Sequence, residues 1–215
     1  MMNKDELWLT CIKMDTRNRE VRRDLRNIVD MHRTVMSFFP DIQDDNARQT
    51  MKILHRLDII NKNPVLLIQS QMQPMIEVLP NGYGVAKYTS LNPLIKALRD
   101  GIIIRYRILA NATKRQNTGL MAGKRIALGF SDTKQWWLER STNAGLALTV
   151  EPTLVSETLP GISSKYNNIL LRSWRIDGLA SVNDVEKLVA TLEVGIGRGR
   201  AYGCGMLSIA ILQSG

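Results

Sequence analysis

Histidine and cysteine are scarce in this chain, with two of each among 215 residues. Cys11 and Cys204 stand far apart, with no CxxC spacing and no histidine nearby. A zinc site takes about four clustered ligands, so none is indicated, and a reducing, cytoplasmic setting is expected. Aromatic residues make up only 6%, too few for a broad platform on which single-stranded bases stack. No run approaches the roughly 18 consecutive apolar residues of a membrane-spanning helix. The opening MMNKDELWLT has no cationic head followed by an apolar segment, so no secretory signal is visible.

What is present is a folded, basic chain. Hydrophobic residues are 44% and charged residues 23%, which excludes a disordered or collagen-like polymer. Lys plus Arg number 29 against 20 Asp plus Glu, a net charge of +9 spread over both halves. Such a balance suits a polyanion partner, because neutralising phosphates releases counterions. A merely soluble basic protein would carry the same balance. The length allows one large domain or two small ones.

Hydrophobic periodicity sets out the elements. Residues 7–14 predict a strand. Val21, Leu25, Ile28, Val35 and Phe39 recur at helical steps and predict one long helix over 19–39, stopped by Pro40. A second helix is expected over 46–57, a buried strand over 65–70, a turn at Gly82 and Gly84, a strand over 85–88 and a short helix over 91–98. The second half predicts a strand over 102–110, a polar basic loop over 113–123, and a helix over 132–143 with Ser131 as N-cap and Gly145 past its end. Strands over 146–150 and 169–176 follow. A helix over 181–194 comes next, opened by a Ser181/Asp184 capping box and stopped by Gly195, then a strand over 204–212. The order is β-α-β-β-α-β, and the first half permits the same pattern. The expected fold is α+β, two tandem ferredoxin-like (RRM-like) domains over 1–95 and 96–215.

The densest local signal is GIGRGRAYGCG over 195–205, five glycines in eleven residues. Glycine permits positive φ and close approach of a ligand to the main chain. A Walker loop would run into GK[ST] and open a helix, whereas here a helix leads in and a strand leads out. Any phosphate would therefore meet backbone N–H groups, around Gly197 and Gly199, and the side chains of Arg198 and Arg200. A flexible connection is the plain alternative.

His32 falls on the apolar stripe of the first helix, consistent with a core histidine or with a general acid/base beside a cleft. His55, between Leu54 and Arg56 in the second expected helix, reads as structural or surface. Arg19, Arg22, Arg26 and Arg33 gather on the opposite face of the first helix, either a solvated face or a stripe facing RNA. Lys114, Arg115, Lys124 and Arg125 flank a glycine-containing loop that suits a groove or a phosphate backbone, and equally a mobile surface loop. Ser163, Ser164 and Lys165 form a smaller polar cluster. The isolated histidines support no nucleophilic triad, and the scattered carboxylates indicate no two-metal nuclease.

Several stretches together resemble the CasE family, the CRISPR-RNA-processing endoribonucleases of type I-E systems within the RAMP superfamily. They are MHRTVMSFFP over 31–40, LLIQS over 66–70, YRILAN over 106–111, WLER over 137–140, IDG over 176–178, and the glycine loop running into MLS over 206–208. The resemblance runs essentially end to end. It implies two ferredoxin-like domains that bind the repeat stem-loop of precursor CRISPR RNA and cut at its 3′ side without a metal or other cofactor. The 2′-hydroxyl attacks the adjacent phosphate, leaving a 2′,3′-cyclic phosphate and a 5′-hydroxyl. The product is then kept within a larger type I-E effector complex. His32 matches the family's catalytic histidine, and Lys165 is matched by its place before a strand of the second domain. Family members often carry a tyrosine three residues before the histidine. Val29 holds that position here and cannot transfer a proton, which leaves Tyr166, Tyr202 or a serine to compensate. The other reading is a catalytically silent subunit that holds the hairpin.

Overall fold

The computed structural model describes residues 6–40, 51–119, 122–159, 162–163, 168–169 and 171–212. In it β1 (Trp8–Met14) leads into two helices, α1 (Arg19–Arg26) and α2 (Ile28–Ser37), where periodicity predicted one. Asn27 makes the difference. Its backbone is extended (φ −145°, ψ 111°), and its side chain accepts from the Val29 N–H at 2.9 Å. The residue thus closes α1 and caps α2, because a short amide side chain competes with the helical ladder for backbone donors. The predicted stripe is still buried: Val21, Val35 and Phe39 pack with Ile12, Leu66 and Ile68, Leu25 lies against them, and Ile28 joins a separate apolar cluster.

β2 (Leu54–Ile60) corrects the second expected helix at 54–57; residues 46–50 lie outside the described ones. Alternation accounts for the strand. Ile53 and Leu57 join the first core, while Arg56 and Asp58, two residues apart, pair on the opposite face. With β3 (Asn63–Ser70) and β4 (Gly84–Ser90) the sheet is antiparallel in the order β2-β3-β1-β4. A 3-10 turn, Ile76–Val78, stands between β3 and β4 in place of a second full helix, and α3 (Asn92–Ala97) follows β4. Residues 95 and 96, at the expected division, lie inside α3, and Ile95 packs on the second core.

The second half runs β5 (Ile103–Ala110), a hairpin of β6 (Thr113–Arg115) and β7 (Arg125–Ala127), α4 (Phe130–Asn143), β8 (Leu146–Leu148) and β9 (Thr153–Thr158). It continues with β10 (Ile162–Ser163), β11 (Asn168–Ile169), β12 (Arg172–Val182), α5 (Val185–Val194), a 3-10 turn over Arg200–Tyr202, and β13 (Leu207–Ile211). The sheet order is β13-β5-β12-β8, with β9 continuing the β8 edge along β12. Counted within each half, both sheets read fourth, first, third, second: tandem ferredoxin-like domains, α+β as expected.

Two caps differ from expectation. Gly129, not Ser131, precedes α4, and Asp184 alone caps α5 by accepting from the Lys187 N–H at 3.0 Å. Ser181 is committed to the sheet opposite Ile103 and Ala147, so it is not available as a cap. The basic loop over 113–123 contains half of a hairpin, with Arg115 opposite Arg125. Gly178 in β12 is needed for packing, since a Cβ there would lie 2.4 Å from the Tyr106 hydroxyl.

The halves are bound through a polar seam. Arg56, 2% exposed, holds Asp58 through two hydrogen bonds of 2.8 and 3.0 Å. Its guanidinium also donates to the carbonyls of Met206 (3.2 Å) and Arg107 (3.3 Å) in the other domain. The Gln69 amide donates to the Leu192 carbonyl, and Lys52 pairs with Glu193. Removing one member of a buried pair costs about 3–5 kcal/mol, and without Arg56 the buried Asp58 keeps, among the described residues, only Arg107, at 3.7 Å. Arg56→Ala is therefore expected to lower unfolding stability by about that amount, read as a shifted urea midpoint, while Arg17→Ala at the exposed surface leaves the midpoint nearly unchanged.

Candidate active site

The glycine-rich turn is a closed loop tied to β5. The Gly205 N–H donates to the Leu109 carbonyl at 2.7 Å, and the Ile196 N–H to the Gly205 carbonyl at 2.9 Å. Gly205 has φ +85°, and a Cβ there would sit 2.6 Å from the Ile196 carbonyl oxygen. A side chain would thus both strain the backbone and break the closure. Gly203 (φ +86°) places its backbone over the His55 ring, with the ring atoms 3.7 Å from where a Cβ would stand.

This close approach builds a cluster from three elements. His32 of α2 is half-buried, and its ring lies 6.3 Å from that of His55 on β2, nearly parallel at 24°. The Tyr202 ring, at the end of the 3-10 turn, stands edge-on to His32 at 6.3 Å and 70°. Below lies an apolar floor shared by both domains: Ile28, Leu109, Leu159 and Cys204, with Val29 and Leu171 packed on it. His32 therefore stands at the seam, between His55 of the first domain and Tyr202 of the second. His55 is 2% exposed and belongs to the same cluster. Reading its segment as a helix concealed this; the alternation Ile53, His55, Leu57 was the available signal.

The cationic residues divide into groups. Arg198 is exposed, and its backbone bridges Asn111 just beyond β5, at the root of the basic hairpin. Gly197 lies against the Trp136 indole, 3.3 Å from a would-be Cβ, and Gly199 (φ +72°) against Cys204. Arg200 donates to the Val194 carbonyl at 2.9 Å, at the negative end of α5. On the hairpin, Lys114 pairs with Asp132 at 2.8 Å, whereas Arg115, Lys124 and Arg125 are exposed. Arg22 and Arg26 line a crevice on α1 with Arg19 and Arg23. Arg33 does not join them: the break at Asn27 turns it away, and it pairs with Asp30 at 2.8 Å. Lys165, Ser164 and Tyr166 lie outside the described residues. Among the described residues, no three His, Cys, Asp or Glu side chains gather to hold a metal, and no helix is long and apolar enough to cross a membrane.

Residues 7–210 match the family described as CRISPR associated protein. The chain belongs to that family. Over 218 aligned positions it is 30% identical to the CRISPR-associated endoribonuclease Cse3 of Thermus thermophilus, covering 95% of this chain and 100% of the relative. The CasE subunit of the Escherichia coli Cascade system is 24% identical over 196 positions, 87% of this chain and 94% of the relative. Among solved structures, Thermus thermophilus Cse3 bound to an RNA representing a pre-cleavage complex superposes with a TM-score of 0.82. That pair is 28% identical, with 95% of this chain and 99% of the other covered. A chain of a CRISPR RNA-guided surveillance complex captured before nicking is 31% identical, with a TM-score of 0.71 and 95% and 100% coverage. The family recognised in the sequence is thus the one to which the chain belongs, as a CasE-type protein.

The floor of the site has a measurable chemical signature. Burial pushes the Cys204 thiol from its ordinary 9.0 up to about 12. The folded thiol then keeps its proton where the unfolded one ionises. This contribution to stability is present below 9.0 and is lost as pH climbs toward 12. In a Cys11→Ser variant, Cys204 is expected to react with a thiol reagent at pH 8 only on unfolding, followed by release of the chromophore across a urea series.

Proposed function

We propose that the chain is a CRISPR RNA endoribonuclease that binds the repeat stem-loop of precursor CRISPR RNA and cuts at its 3′ side without a metal. It then stays on the hairpin as a subunit of a type I-E surveillance complex. The observation that carries this reading is the placement of half-buried His32 at the seam, faced by a glycine turn that presents exposed Arg198 beside the basic hairpin. Support comes also from the relatives, one named an endoribonuclease and crystallised with RNA, another a chain of an RNA-guided complex.

The chemistry follows from what the residues offer. In-line attack needs a proton taken from the 2′-oxygen and one given to the leaving 5′-oxygen, and a positioned histidine serves such a step with about 10²–10⁴-fold effect. Arg198 supplies positive charge toward the pentavalent phosphorus centre, where charge develops. The exposed hairpin cations Arg115, Lys124 and Arg125 and the α1 arginine Arg26 grip the phosphate backbone. Lys114, Arg200, Arg33 and Arg22, each engaged within the protein, the last with the Thr16 and Arg17 carbonyls, contribute to the field rather than as free contacts. Lys165 remains a proposed partner of the histidine through its match to the family.

A labelled repeat RNA incubated in EDTA is expected to be cut to a cyclic phosphate end, and cessation of cutting in EDTA overturns the metal-free step. His32→Ala is expected to lower the rate by about 10²–10⁴-fold with affinity changed only a few-fold. Tight binding with no cleavage by the unaltered protein instead selects the silent hairpin-holding subunit, the reading that Val29 favours. Arg198→Ala is expected to reduce the salt slope of binding by about one, measured by titrating affinity against salt; an unchanged slope removes the glycine turn from the interface.

A further inference from the structure

Attack of a 2′-hydroxyl on the adjacent phosphate moves two protons, one off the 2′-oxygen and one onto the leaving 5′-oxygen, and one histidine at neutral pH is suited to one of them at a time. Two other rings that carry an exchangeable proton stand against His32, those of His55 and Tyr202. They are not equivalent. His55 is 2% exposed, rises from the sheet behind His32 and is covered by the backbone at Gly203. A bound RNA strand cannot touch it. Tyr202 is half-exposed and comes from the other domain, so its phenol faces His32 across the seam.

Tyr202 is also held firmly. Its N–H donates to the Gly199 carbonyl at 2.8 Å. Gly199 (φ 72°, ψ 18°) and Gly203 (φ 86°, ψ 6°), both left-handed, bracket its short 3-10 turn. Its ring packs on the floor that holds Ile28, Leu109 and Cys204, beside Val29 of α2. A reacting group fixed in this way pays little orientational entropy when the reaction occurs. Exposed Arg198 lies on the same turn.

We infer that Tyr202 is the second proton-transfer residue, donating the phenolic proton to the leaving 5′-oxygen while His32 takes the proton of the attacking 2′-hydroxyl. The inference rests on the endoribonuclease reading above. The 2′-oxygen forms its bond to phosphorus as its proton passes to His32. The phosphorus–O5′ bond breaks as O5′ takes the proton of Tyr202. The products are the cyclic phosphate and a 5′-hydroxyl. The imidazolium then loses a proton to water and the phenolate regains one, which restores both groups without any redox partner. The acid and the base thus come from different domains, and the site exists only when the seam is closed.

The test compares two RNAs, one normal and one with sulfur replacing the bridging 5′-oxygen at the scissile linkage, in single turnovers at saturating protein. A thiolate leaves without a proton, so loss of the acid is masked on the sulfur substrate. Tyr202→Phe keeps the ring contact and removes only the hydroxyl. It is expected to slow cleavage of the normal RNA by about 10²–10⁴-fold and to cut the sulfur-bridged RNA within a few-fold of the unaltered protein. His32→Ala is expected to be slow on both. A Tyr202→Phe variant that cuts the normal RNA at full rate, or is equally slow on both substrates, overturns the assignment. If the unaltered protein cuts neither RNA, the endoribonuclease reading itself fails, a result distinct from failure of Tyr202 alone.

Discussion

The glycine-rich turn over 195–205 can lie against both domains only because no side chain projects from its backbone at the points of contact. Its closure brings Gly205 against the Ile196 carbonyl, where a Cβ would stand 2.6 Å away, and Gly195 against Leu54 of β2, where one would stand 3.0 Å away. Five left-handed glycines let eleven residues fold back on themselves within hydrogen-bonding reach of β5. Everything at the seam follows from that fit. Tyr202 meets His32, Arg198 bridges Asn111, and Cys204 enters the shared apolar floor. The arrangement is costly in chain entropy, since glycine has the most freedom to lose. It is maintained by backbone hydrogen bonds and by the polar contacts of Arg56 with the neighbouring main chain.

Arg56 and Arg107 show how a basic chain divides its cations between structure and ligand. Arg56 is committed to Asp58, Arg107 to Asp177 and to Asp58 at 3.7 Å, and Arg175 to Asp177 and Glu157. The Asp177 carboxylate beside it holds the Arg107 guanidinium above its ordinary range. These cations are each matched by a carboxylate within the second sheet or at its seam with β2, so they add little net charge to the field outside. The exposed members of the net +9 that face solvent on the glycine turn, the hairpin and α1 are the ones able to displace counterions from a phosphate backbone.

The fold was legible where periodicity and punctuation agreed. The strands over 7–14, 65–70 and 102–110 and the helix before Gly195 correspond to β1, β3, β5 and α5. The misreadings have local causes. Asn27 sits between two apolar steps that a continuous helix would satisfy, so only its capping chemistry distinguishes one helix from two. At 54–57 the alternating residues include Arg56 and Asp58, polar on a face that is buried by the other domain rather than by water. The alternation is present but weak in contrast, because one face mixes Leu54 with Arg56 and Asp58 and the other mixes His55 with Ile53 and Leu57. The same blindness hid His55: its neighbours in sequence are Leu54 and Arg56, whereas its neighbours in space are His32 and Gly203.

Val29 and Tyr202 then pose a single question of placement. In α2, the residue three before His32 lies one turn away on the same face, the natural position for a partner drawn from the same helix. Here that position is apolar and packs on the same floor as the Tyr202 ring. A protic partner supplied from the second domain makes the site conditional on the seam in a way that a partner on α2 would not be. Loss of a contact remote from His32, such as the guanidinium of Arg56 on the Met206 carbonyl, would then act on catalysis through the spacing of the two rings. The polar seam and the ring cluster are, in this arrangement, one device: the hydrogen bonds that join the domains also hold the rings of His32 and Tyr202 near each other.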